Sequence, residues 1–185
     1  MTLKECTVGS YFRRKPSVRA EIIYDNYETF PRLITVFEKN LKLMIMSEKA
    51  CVRNAHRGEL GVRIQEGKVS DPTQKQAMEN LMVEKAIANG DFSDSYFKDF
   101  TAMQEIYDGY TEITVMYAEY ELFKATINAL QDDDKKFIVS YMNRSKSRGE
   151  LAEEYGVTVD AVNQKLKRSK KWIKDIVLKN MADYS

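Results

Sequence analysis

Between Ser147 and Arg168 the chain reads SRGELAEEYGVTVDAVNQKLKR, and this stretch constrains the fold more than any other. Ser147 is placed to cap a helix, and Glu150 follows three residues later, the spacing of a capping box. Leu151, Ala152 and Tyr155 then lie on one apolar stripe. Gly156 follows where a helix wants a left-handed residue to end it. Val157 is expected to plug the turn. Thr158 caps the next helix, whose buried side carries Val162 and Leu166, four residues apart. Ala152 is small enough for two helices to cross closely. The spacing predicts a helix–turn–helix whose second helix fits a DNA major groove.

The preceding segment supplies a third helix. Asp132, Asp133 and Asp134 stand where a helix N-terminus favours negative charge, and Phe137, Ile138, Tyr141 and Met142 follow at helical spacing. An acid/base or metal role for the three aspartates is the weaker explanation, because a helix start accounts for them without a cofactor. The whole pattern, ALQDDDKKFIVSYMNRSKSRGELAEEYGVTVDAVNQKLKRSKKWI, resembles region 4 of the sigma-70 family over about a quarter of the chain. It has the same order: a leucine, a charged helix start, an apolar helix, the helix–turn–helix and a basic helix. The resemblance implies a trihelical DNA-binding domain and makes RNA polymerase a possible partner. Val159, Asp160 and Ala161 open the second helix here, where sigma-like recognition helices often carry arginines facing bases.

Charge is distributed accordingly. The chain is nearly neutral, with a formal net charge of +1. From Lys135 to Asn180 there are 12 Lys and Arg against 5 Asp and Glu, whereas residues 1–134 hold 17 against 22. A basic end on an acidic body is the electrostatic footprint of a DNA-binding domain on a non-binding scaffold. A lysine-rich solvated helix face would give the same count, but not the capped turn beside it.

The rest of the chain reads as helical, so the expected fold class is all-α. A length of 185 residues suggests one or two domains; the pattern divides into a helical N-terminal or oligomerisation region over 1–129 and the DNA-binding domain over 130–185. With 43% hydrophobic and 31% charged residues, the chain can bury a core and remain soluble. Its three prolines and eight glycines favour helices. No run approaches the roughly 18 apolar residues of a membrane helix, and the first twenty residues lack the apolar stretch of a signal peptide. A cytoplasmic protein without membrane contact is expected, with Cys6 and Cys51 as reduced, structural thiols.

Pro31 is expected to start a new helix after a break near Phe30, with Val36, Phe37, Leu41, Met44 and Ile45 at spacings of three and four. Asn54 to Val69 is the expected loop. Ser70-Asp71-Pro72 starts a helix that runs to about Ala88 and ends at Asn89-Gly90-Asp91. A long helix follows from about Asp94 to Leu130, with a stripe of Ile106, Tyr110, Ile113, Tyr117, Tyr120 and Ile127. Such a stripe is a core or a helix–helix seam, and a homodimer through it is one expectation. Gly109 is a candidate kink.

The elements Leu60-Gly61-Val62-Arg63-Ile64-Gln65, Ser70-Asp71-Pro72-Thr73 and Ala77, followed by a long helix and the C-terminal module, widen the resemblance. In this order the chain is similar, from about Ile34 onward, to phage and prophage regulators of the ArpU and RinA type. That resemblance implies a transcription regulator of phage or mobile-element type.

The expected function is therefore non-enzymatic binding of double-stranded DNA. Asn163 and Gln164 are the candidates for base edges, since amides can make paired hydrogen bonds to adenine. Thr158, Lys165, Lys167, Arg168, Lys170 and Lys171 are candidates for phosphates, with Arg148 at the preceding helix start. Arg13, Arg14, Lys15 and Arg19 form a small basic cluster that suits a minor-groove arm or a solvated tail. Trp172, Ile173, Ile176 and Val177 are expected to pack the last helix against the body. The lone His56 and two distant cysteines make no zinc pattern, no Gly-rich phosphate loop or G-x-S-x-G nucleophile motif is present, and no cofactor is expected. Tyr96, Phe97, Phe100, Tyr107, Tyr110, Tyr117 and Tyr120 recur at helical spacing in an acidic region, which favours core packing over base stacking. Two other functions fit the same layout: a terminase-like DNA-packaging subunit, and a helical module that binds polymerase or inhibits another protein.

Overall fold

The computed structural model describes residues 11–57 and 72–182. These form seven α-helices: α1 (Pro16–Asp25), α2 (Phe30–Arg57), α3 (Pro72–Asn89), α4 (Met103–Asn128), α5 (Asp132–Met142), α6 (Arg148–Tyr155) and α7 (Val159–Ala182), with a 3-10 turn at Ser95–Phe97. No strand occurs among the described residues, so the fold is all-α as the composition implies. No described helix is long and apolar enough to cross a membrane. Cys51 is a free, exposed thiol on α2 rather than part of a core. Cys6, the Leu60–Gln65 element and Ser70-Asp71 lie outside the described residues.

The chain divides into two compact units whose borders fall inside α2 and α4. One unit is contiguous, from Thr35 to Ile113; the other joins the residues up to Ile34 with those from Thr114 onward.

The contiguous unit is built on α2, α3 and the first part of α4. Phe37, Leu41 and Ile45 of α2 and Val83 of α3 are buried. Lys42 pairs with Glu84 at 2.6 Å, and Arg53 pairs with Glu79. The long helix expected from Asp94 starts only at Met103. Asp94 instead accepts a hydrogen bond from the Tyr96 amide at 2.7 Å and turns the chain. Asp99 adopts a left-handed φ of 70°. The reason is aromatic: Phe92, Tyr96, Phe97 and Phe100 are all buried, with Phe97 and Phe100 rings 5.6 Å apart and Phe92 and Phe97 rings 5.4 Å apart, edge to face. A straight helix would send part of this set into water. Glu48 then caps α4 from outside, accepting from the Thr101 amide at 2.6 Å and the Ala102 amide at 3.2 Å. Gly109 does not break α4. A Cβ there would meet the Leu41 side chain at 3.2 Å, so glycine lets α2 approach closely.

The stripe on α4 is turned inward for most of its length. Ile106, Ile113 and Ile127 are buried, whereas Tyr117 is 60% exposed. The residues read as a possible seam between chains thus belong mainly to the chain's own core.

The discontinuous unit holds α1, the second part of α4 and α5 to α7. Its aromatic layer runs from Tyr11 to Phe30 (5.8 Å) and Phe30 to Tyr120 (5.7 Å, stacked), and Tyr24 meets Phe123 edge-on at 6.4 Å. Phe137, Ile138, Leu151, Val162, Ile173 and Val177 bring α5, α6 and α7 into the same core. Arg19, expected on a basic arm, is buried here. Its Nε donates to Glu119 at 2.8 Å and 3.1 Å, and its Nη2 lies 2.6 Å from Glu119 Oε1. Tyr11 donates its hydroxyl to Glu119 at 2.7 Å. Arg19 Nη1 donates to the carbonyls of Phe12 and Arg14. Every strong donor in the set has an acceptor, which is what burial of an ion pair demands.

Removing one member strands a buried charge. Arg19→Met is expected to cost about 3–5 kcal/mol in denaturant unfolding, whereas Arg19→Met with Glu119→Met recovers most of that loss. A double variant no more stable than the single one would show that the pair is not the source of the cost.

Candidate nucleic-acid interface

The turn between α6 and α7 forms from the residues that the sequence marked. The Ser147 hydroxyl accepts from the Glu150 amide at 3.3 Å, and the Ser147 amide donates to the Glu150 carboxylate at 2.7 Å. The Ser147 amide, and then the Ser147 hydroxyl, acting on the Glu150 carboxylate, hold that carboxyl below its ordinary value. Gly156 ends α6 at φ 62°, ψ 34°, in the left-handed region, and the Val157 amide donates to the Ala152 carbonyl at 3.0 Å. Thr158 Oγ1 then accepts from the Ala161 amide at 3.2 Å and starts α7. Ala152 is buried under the turn, but Val157 is 45% exposed and does not plug it. Phe137 is buried and meets the partly exposed Tyr155 ring edge to face at 5.3 Å.

The second helix and the basic helix are one continuous element, α7, of 24 residues. Its faces are sorted by partner. Val162, Leu166, Ile173 and Val177 face the core, while Trp172 is 41% exposed. Lys165, read as a phosphate contact, instead pairs with Asp134 at 2.7 Å and lies over the Phe137 ring at 4.7 Å. Lys170 is likewise taken: it pairs with Glu21, lies 3.6 Å from Asp25 and sits 4.3 Å from the Tyr24 ring centroid. Lys174 adds a second bond to Glu21 at 2.5 Å. Both lysines face α1, where their charges are engaged by its carboxylates. Burial raises the Glu21 value, but the hydrogen bonds and charges of Lys170 and Lys174 outweigh it and hold the carboxyl below its usual range.

Gln164, Lys167, Arg168 and Lys171 remain exposed. Positions 164, 168 and 171 follow i, i+4, i+7 and so form one stripe. Arg148, Thr158 and Lys167 are exposed beside it. Asn163 is only half-buried, in a cleft beside Arg148 and Lys167 rather than on the stripe. Arg13 and Lys15 are exposed at the N-terminal end of α1, whereas Asp25, at its other end, lines that cleft. A ten-residue helix separates them by about 15 Å.

The tie from α1 was not readable in the sequence, because Glu21 and Lys170 are 149 residues apart. A weak signal was present: α1 carries Glu21 and Asp25 four apart, matching the Lys170 and Lys174 interval. No family model matches the chain, and no curated protein or solved structure is significantly similar to it.

At Gly156 an added Cβ would meet nothing within 4 Å, so the cost of substitution is one of backbone conformation alone. Gly156→Val is expected to lower stability by at least about 1–2 kcal/mol, and Gly156→Asn by clearly less, since asparagine tolerates the left-handed region. Equal melting temperatures for the two variants would place the strain elsewhere.

A carboxyl whose folded pKa lies below its unfolded one stabilises the fold above the ordinary carboxylate range. That contribution is lost as pH falls through the depressed value. Protection factors of α1 amides, referred to the intrinsic exchange rate at each pH, should therefore fall below about pH 4, and Glu21→Gln should show reduced α1 protection already at neutral pH. Identical α1 protection in both proteins at pH 7 would exclude the Glu21 tie as what holds the helix.

Proposed function

We propose that this chain is a non-enzymatic, double-stranded-DNA-binding transcription regulator whose DNA-reading element is the first half of α7. The observation that carries the reading is the exposed stripe Gln164, Arg168 and Lys171, flanked by Lys167. It stands on a helix whose opposite face is buried and whose Lys165, Lys170 and Lys174 are paired within the chain. A helix entering the major groove needs its exposed side free for base edges and phosphates. The capped turn at Gly156 fixes the entry angle of that helix. The resemblance to sigma-70 region 4 and to ArpU- and RinA-type regulators supports the same reading and a phage or mobile-element setting.

Within this reading Gln164 is the base-contacting amide, and Arg168, Lys167 and Lys171 hold phosphates. Lys165, Lys170 and Lys174 serve the fold.

The full chain should bind duplex DNA with an affinity that falls steeply with salt, because each neutralised phosphate releases counterions. Gln164→Ala should cost about 1–3 kcal/mol on the preferred site and little on random duplex. Lys171→Ala should weaken both duplexes alike, and Lys165→Ala should leave the salt slope unchanged. Fluorescence anisotropy across a salt series reads all of these; an affinity flat with salt would remove the basis of the proposal.

A further inference from the structure

A polar cleft of about 280 Å³ opens where α1, α5, α6 and α7 meet, lined by Tyr24, Asp25, Tyr141, Arg148, Asn163 and Lys167 among others. Of its three cations, Lys170 is engaged by Glu21 and Asp25, and the other two, Arg148 and Lys167, differ in readiness. Arg148 is pre-set: its Nη2 donates to the Tyr141 hydroxyl at 3.0 Å and its guanidinium lies over the Tyr141 ring at 5.6 Å. Lys167 is exposed and has no hydrogen bond or ion pair among the described residues. The Asn163 amide, half-buried in the wall, has none either. The one carboxylate of the cleft, Asp25, is offset by Lys170 at 3.6 Å. What is left over is an excess of donors, with Arg148 and Lys167 uncompensated by any carboxylate. Water occupies roughly 30 Å³ per molecule in the liquid, so the cleft has room for a tetrahedral anion and a few waters.

We infer that this cleft seats a single phosphate group, shared by Arg148 and Lys167, with Asn163 donating its side-chain amide to the anion rather than to a base edge. Arginine and lysine around one phosphate make charge-assisted bonds, the strong class of hydrogen bond. The phosphate is either one from a DNA backbone or a free one; only the first source rests on the proposed DNA-binding function. The inference brings α1 into the binding surface, because Tyr24 and Asp25 form one wall of the seat.

The experiment uses the full chain in two arms. In the first, inorganic phosphate is titrated while the Asn163 side-chain amide and Arg148 Nε signals are followed by NMR. In the second, a duplex oligonucleotide is titrated against wild type, Arg148→Gln, Lys167→Gln and the double variant, each first checked for an unchanged melting temperature. A single seat predicts that each substitution weakens duplex binding about tenfold. The double variant should then fall well short of the product of the two losses, because both side chains hold one anion. Asp25→Asn should tighten binding a few-fold. Asn163 signals that move with phosphate or duplex, together with a non-multiplicative double variant, support the seat. Multiplicative losses, or an Asn163 amide unmoved by either ligand, overturn it. Binding of inorganic phosphate at Asn163 with no duplex binding at low salt would keep the seat and reject the DNA-binding function.

Discussion

The buried pair of Arg19 and Glu119 is the joint on which the discontinuous unit hangs. It fixes α1 to α4 with a bidentate geometry and a third donor from Tyr11. An ion pair taken out of water gives little net stability, but it penalises every arrangement in which its partners separate. Its value here is therefore directional. It sets the position of α1, and α1 then presents Glu21 and Asp25 to α7. The register of α7, and hence which of its residues meet solvent, follows from a contact made on a different helix.

This hierarchy explains why a lysine-rich helix is not uniformly available to an anion. Lys165 is drawn to Asp134, and Lys170 and Lys174 to Glu21. What remains outward is a narrow strip rather than a basic cylinder. Counting charges along the segment overstates the field that a ligand would meet, because part of it is cancelled inside the unit.

Local chemistry was legible in the sequence and long-range chemistry was not. The capping box at Ser147 and Glu150, the left-handed Gly156 and the Thr158 cap each depend on neighbours within a few residues, and all form as read. Pro31 falls in the first turn of α2, and α3 spans the expected residues. The failures have one cause in common. The start of α4 moved because aromatic residues from 92 to 100 collapse together; Arg19, Lys165 and Lys170 changed role because their partners lie far off in sequence. Exposure of Val157 and Tyr117 depends in the same way on what other helices leave uncovered. For the candidate interface, helical periodicity places Gln164, Arg168 and Lys171 on one stripe and Asn163 off it, while the loss of Lys170 to Glu21 and Asp25 required the position of α1.

The division of one unit into two sequence segments has a consequence for the order of assembly. The contiguous unit from Thr35 to Ile113 can collapse as soon as it leaves the ribosome, since domains form as units during synthesis. Its neighbour cannot. Tyr11 waits 108 residues for Glu119, and Glu21 waits 153 for Lys174. At typical elongation rates of about 5–20 residues per second, α1 spends several seconds without the helices that it will hold. Closing such long loops is entropically slow, so during that interval the apolar side of α1, with Ile23 and Tyr24, is a surface for chaperones to cover. Nascent chains of this protein should be recognised early, through their first helix, and released late.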